Sequence, residues 1–212
     1  MERKIYHFEN KRIEKLNYLL HLPTSCEGKP PMIVALHGAG ERGDNFDVIA
    51  VHGVAKYVEA GLELPAVVIA PQCPENFIWN QLTVELKELI DYAAAEYGVD
   101  TDRISITGLS MGGYGTWEMG MSYPGFFSAL APICGGGVSW RVHLIGKTPV
   151  WAFHGDADNV VPPNNSYEMC DKLKASGGNV ELTVFHGVMH NSWEPAYEKT
   201  KLIDWLIASS KN

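Results

Sequence analysis

With 212 residues, 46% of them hydrophobic, the chain is sized for one domain (1–212) with a substantial core, and is short for two. Its formal net charge of −8 leaves no basic block, which argues against a nucleic-acid partner. No run approaches the ~18 apolar residues of a membrane span, and the opening MERKIYHFEN lacks the apolar segment of a secretory signal.

Bases gather only weakly, at Arg3, Lys4, Lys11, Arg12 and Lys15, and read as a solvated N-terminal edge. Four scattered cysteines (Cys26, Cys73, Cys134, Cys170) without C-x-x-C spacing are expected as free thiols. That pattern suits a reducing, cytoplasmic setting.

In chain order, residues 17–22 have strand character and end at Pro23. Residues 32–36 (MIVAL) form an unbroken apolar run, as expected for a strand buried on both faces. They feed a glycine-rich loop, HGAGERG at 37–43, whose Glu41 and Arg42 read as solvated charges. The loop lacks both the lysine of a phosphate-binding P-loop and G-x-G-x-x-G spacing, which sets a phosphate cradle aside. A helix is predicted over 54–60, a strand over 66–70 and an amphipathic helix over 84–97, where Leu86, Leu89, Ile90 and Ala93 share one face. Strands follow at 103–107, 127–133, 149–153 and 180–185, with helices at 166–175 and 198–208. Strands alternating with helices predict an α/β fold, a mostly parallel sheet with helices on both faces. The glycine-rich and polar loops all follow strand ends, so they converge on the rim where such sheets bind ligands.

The strand at 103–107 runs into Gly108-Leu109-Ser110-Met111-Gly112, a G-x-S-x-G spacing between strand and helix. A serine on so sharp a turn takes strained backbone angles, and only small neighbours two residues to either side avoid collision. Serine needs a base to become a nucleophile, and the base needs an orienting acid. Of eight histidines, His190 lies in the loop after the last strand and is the expected base, with His186 as runner-up. His154 and His37 each precede a glycine at a strand end and read as loop-shaping residues. Asp156 and Asp158 compete for the acid; Asp158 is favoured because it reaches further over the rim, backed by Val160-Val161-Pro162. The oxyanion would be met by the Met111 amide and one from the first glycine-rich loop, Ala39, with Gly40 as the alternative. Trp79 and Trp193, in loops on the same rim, are candidates to line the substrate site.

Taken together, LHGAGERGDN, APQCP, GLSMGGYG, HGDADNVVP and GVMHNSW resemble the α/β-hydrolase superfamily. The nearest branch comprises small carboxylesterases related to feruloyl-esterase-like, dienelactone-hydrolase-like and prolyl-oligopeptidase-like catalytic domains. The resemblance implies Ser110, Asp158 and His190 as a triad, in agreement with the residue-by-residue reading. It departs from lid-bearing relatives: 134–148 is too short for a substantial cap, so an open cleft is expected. The expected activity is serine-dependent hydrolysis of a small-molecule carboxylic ester through an acyl-enzyme. Short-chain or aromatic acyl groups, including carbohydrate-linked ones, are the expected substrates, with no metal or organic cofactor. Peptidase or thioesterase chemistry on the same fold, and a non-catalytic binding module, are the rival readings.

Overall fold

The computed structural model describes residues 5–8 and 16–211; the basic N-terminal residues named above lie outside this set. Eight strands form one sheet in the order β1-β2-β4-β3-β5-β6-β7-β8. They are β1 (Ile5–Phe8), β2 (Leu16–His21), β3 (Met32–Leu36), β4 (Val67–Pro71), β5 (Ile104–Leu109), β6 (Ala129–Ile133), β7 (Val150–Gly155) and β8 (Val180–Phe185). The first two are antiparallel to their neighbours, and β4-β3-β5-β6-β7-β8 run parallel.

The helices are α1 (Gly53–Glu59), α2 (Thr83–Glu96), α3 (Met111–Ser122), α4 (Asn164–Ala175), α5 (Trp193–Lys199) and α6 (Leu202–Ala208). Alternation along the strands splits the core between the two faces of the sheet. Met32, Val34 and Leu36 of β3 pack with Leu86 and Leu89 of α2, Trp117 of α3 and Leu173 of α4. Ile33 and Ala35 point the other way, to Val54 of α1, Tyr197 of α5 and Leu206 of α6. This is the α/β-hydrolase architecture. Among the described residues no helix is long and apolar enough to cross a membrane, and all four cysteines are free.

Two features differ from the sequence expectation. The helix predicted over 198–208 is two helices, because Thr200 is extended (φ −121°, ψ 175°). Its hydroxyl donates to Ala196 O, closing α5, and accepts from the Leu202 N–H, opening α6. The segment 139–145 between β6 and β7 coils into a 3-10 turn that leaves Trp140 74% exposed.

The turn from β5 into α3 is packed backbone against backbone. Ser110 has φ 54°, ψ −116°, one of two non-glycine residues with positive φ among those described. A Cβ on Gly108 would lie 2.3 Å from Gly112 O, and one on Gly112 would lie 2.2 Å from Leu36 O. Backbone stands on both sides, so nothing can give way by rotating a side chain. Gly112→Ala is therefore expected to destabilise the fold by about 2–3 kcal/mol, a fall of roughly 5–10 °C in Tm. Gly40→Ala, where the new methyl would meet nothing within 4 Å, should leave Tm unchanged. Thermal unfolding of the two variants side by side makes the comparison.

Candidate active site

Each functional candidate hangs from the carboxyl end of a strand. Ser110 lies one residue past β5, Asp158 three past β7, and His190 five past β8. Adjacent parallel pairing of β7 and β8 sets their loops side by side. Gly155 then lets them touch: a Cβ there would sit 2.1 Å from Val188 O. The Ala157 N–H donates to Val188 O, tying the Asp158 loop to the His190 loop.

Ser110, His190 and Asp158 are brought together in one hydrogen-bonded line. The His190 Nδ1–H donates to Asp158 Oδ2 at 2.7 Å, which leaves Nε2 bare to accept from Ser110 Oγ at 2.9 Å. Asp158 is buried, and its second oxygen, Oδ1, accepts the Val160 and Val161 N–H groups, both at 2.9 Å. Burial alone would raise its carboxyl, but the bonds from His190, Val161 and Val160 together outweigh it and hold the group below the usual carboxylate range.

The competing pair, Asp156 and His186, lies outside this line. Asp156 accepts from His186 Nδ1 at 2.7 Å and from the Gly187 N–H, and the His186 side chain is almost wholly exposed.

The two expected oxyanion donors share a structural position. Met111 opens α3 and Ala39 opens the 3-10 turn Ala39–Glu41, so neither N–H has an acceptor within its own helix. Gly38 brings that turn to the elbow: a Cβ on it would lie 3.0 Å from Leu109 Cδ1 and 3.7 Å from Ser110 Cβ. His37 fixes the approach. Its Nε2 accepts the Cys73 N–H at 2.9 Å, so Nδ1–H donates to Gly38 O, and its own carbonyl accepts from Trp79 Nε1 at 2.9 Å.

That last bond corrects one expectation. Trp79 does not line the site; it is fully buried in the core under the glycine-rich loop 37–43, with its Cβ against Gly115 of α3. Its neighbours Ile78 and Asn80 line the cleft instead, with Ser110, Met111 and Tyr114, around an open volume of about 450 Å³. Trp193 is half-buried and packs edge-on against His190 with ring centroids 5.4 Å apart. Glu41 is not a solvated loop charge either. It is buried, with oxygens 3.8 Å from His37 Nδ1 and from His52 Nε2.

Among the described residues one Cys/Asp/His group, Cys134–Asp158–His190, has ligand-type atoms within 4.8 Å of one another. Its carboxylate and imidazole already bind each other, and burial pushes the Cys134 thiol up to about 12, so it keeps its proton at neutral pH.

The phospholipase/carboxylesterase family model matches residues 69–203, a stretch that includes Ser110, Asp158 and His190. The chain belongs to that family. Its structure superimposes on a thermostable esterase with TM-score 0.84 and 36% identity, over 98% of this chain and 63% of that one. An acetyl xylan esterase from Aspergillus awamori shares the fold at TM-score 0.74 and 15% identity, over 96% and 98%. In sequence it is similar to poly(3-hydroxyalkanoate) depolymerase C of Paucimonas lemoignei, 22% identical over 82% of this chain and 49% of the relative. It is also similar to S-formylglutathione hydrolase of Mus musculus, 31% identical over 60% and 56%. The chain thus spans about half the length of these two curated relatives.

Burial holds the oxyanion loop to one protonation state. It is the main cause that pushes His37 down to about 4; the Arg42 charge adds to it and the bond to Gly38 O opposes it. The unfolded chain binds this proton near 6.5 and the folded chain only near 4, so acidification across that interval favours unfolding. The full effect is about 3 kcal/mol, absent above the unfolded value and complete below the folded one. Chemical denaturation from pH 7 to pH 4 should show this loss, and His37→Gln should flatten the slope.

Proposed function

We propose that the chain is a serine-dependent carboxylic ester hydrolase working through an acyl-enzyme. The observation that carries this reading is the continuous path from Ser110 Oγ through His190 to Asp158, with each imidazole nitrogen in the role it needs. His190 Nε2 takes the Ser110 proton as Oγ attacks the ester carbonyl, and then returns it to the leaving alcohol. Asp158 holds the Nδ1–H tautomer and stabilises the imidazolium that forms. The Met111 and Ala39 amides receive the developing oxyanion at two helical starts, where they need no reorientation as charge builds. Water then attacks the acyl carbonyl and gives its proton to His190, which returns it to Ser110 Oγ as the acid leaves.

The lining of the cleft supports a substrate class. Ile78, Met111 and Tyr114 offer apolar surface, and Asn80 a single amide, which suits a short or aromatic acyl group better than a charged one. Short-acyl esters on carbohydrate are another candidate for the same open cleft. The four free cysteines are compatible with the reducing, cytoplasmic setting expected from the sequence. The similarity to S-formylglutathione hydrolase supports thioesters as the second substrate class.

Hydrolysis of p-nitrophenyl esters from acetate to palmitate, methyl ferulate and an acyl-glutathione, by wild type and Ser110→Ala, tests the reading. Turnover should peak at short or aromatic acyl groups, and kcat should fall about 10⁴- to 10⁶-fold in the variant. Turnover that survives in Ser110→Ala would overturn it.

A further inference from the structure

His154 is the second histidine that reaches Asp158. It is the penultimate residue of β7 and is fully buried. Its Nε2 lies 2.9 Å from Val161 O and 3.2 Å from Asp158 Oδ2, the oxygen that also takes the His190 proton. Its Nδ1 lies 2.7 Å from Ser166 Oγ of α4, which in turn lies 3.1 Å from Gly135 O.

The proton positions follow from the partners. A carbonyl and a carboxylate can only accept, so Nε2 must carry hydrogen. Burial is the main influence on this ring and pushes it towards the neutral form. In that form Nδ1 is bare, and the single Ser166 hydroxyl hydrogen serves either Nδ1 or Gly135 O. Val161 O and Asp158 therefore select the tautomer that points N–H at them, and Ser166 Oγ holds the other edge of the ring. The titratable groups facing this ring are Asp158 from its own loop and His190 from the loop after β8; α4 and the loop after β6 present only Ser166 and Gly135 O.

We propose that His154 is a positioning residue for the reaction, acting through Asp158 as the fourth donor to its carboxylate and as the clamp on Val161. This rests on the Ser110–His190–Asp158 reading above and extends it. With His154 in place, Asp158 receives Val160 and Val161 on Oδ1 and His190 on Oδ2, and the His154 N–H, bonded to Val161 O, also lies 3.2 Å from Oδ2. Both oxygens are then fixed in direction, and the negative charge is shared between two imidazoles. Val161 is held twice, because its N–H serves Asp158 while its C=O takes the His154 proton. Removing the His154 N–H leaves Oδ2 with His190 alone. The carboxylate then pulls harder on the His190 proton, and the acidic limb of the activity profile moves to higher pH. Asp158 also gains freedom to swing, which loosens the attack geometry without touching the substrate cleft.

The test is the pH dependence of kcat and KM for His154→Leu, His154→Gln and Ser166→Ala, with Tm measured for each and Ser110→Ala as reference. His154→Leu should lower kcat about tenfold with KM unchanged, and raise the acidic limb by about half a pH unit. His154→Gln places an amide N–H where Nε2–H was, and should recover kcat to within about threefold and restore the limb. Ser166→Ala removes a buried hydroxyl without adding bulk. It should raise the limb by less than His154→Leu and in the same direction, which keeps the proposal testable if the leucine variant does not fold. A glutamine variant as impaired as the leucine one at equal Tm would overturn the proposal, as would profiles of folded variants that superimpose on wild type. The Ser110→Ala reference separates the two layers. If it keeps activity, the serine reading fails; if it is inactive, the His154 and Ser166 variants judge this proposal alone.

Discussion

Around Ser110 the main chain of four segments comes closer than any side chain would permit. Gly108 and Gly112 face each other across the elbow, Gly112 lies against the carbonyls of Leu36 and His37, and Gly113 and Gly135 meet at the end of β6. The serine can hold its left-handed backbone because this contact, spread over β3, β5, α3 and the β6 loop, leaves it no alternative. The same contact fixes the glycine-rich loop 37–43 relative to Ser110, since the loop begins at His37, which Gly112 touches. Cys134, the other non-glycine with positive φ, lies one residue before Gly135, so strain is concentrated on both sides of one joint.

Electrostatics then separates chemically equal groups. Asp156 and Asp158 lie two residues apart on one loop, yet one faces water and the other is buried under two main-chain amides and an imidazole. Burying a carboxylate is costly unless every lone pair is directed at a donor. Asp158 meets that condition, so it stays ionised where its charge can act on His190. The exposed pair Asp156–His186 has good geometry in open solvent, where such a contact contributes little.

Much of this was legible in the amino-acid order. The parallel sheet followed from apolar runs alternating with amphipathic helices, and the elbow from two glycines at fixed spacing from a serine. The choice of His190 over His186 rested on distance from the strand end, and the structure places the nearer residue out in solvent. What escaped notice depended on packing in three dimensions. Trp79 reads as a loop aromatic, yet the absence of a side chain at Gly115 makes a slot for it inside the fold. Glu41 reads as a surface charge because nothing local reveals that its carboxylate turns inward, towards His37 and His52. His154 looks like a loop-shaping residue, and only the fold shows its ring against Asp158. The break at Thr200 was concealed for the opposite reason: hydrophobic spacing continues through it, while one hydroxyl caps both helices.

The sheet also sets an order of resilience within the site. Ser110 directly follows β5, which is flanked by β3 and β6 and buried along its whole length. His190 is carried by β8, which lies at the sheet margin, pairs with β7 among the described strands and leaves Glu181 and Val184 exposed. Margins of a sheet open more often than its middle, in excursions that leave the rest folded. Ser110 and His190 therefore belong to regions with different fluctuation energies. Fraying on warming begins at the border that carries His190, while Ser110 is still held in its turn.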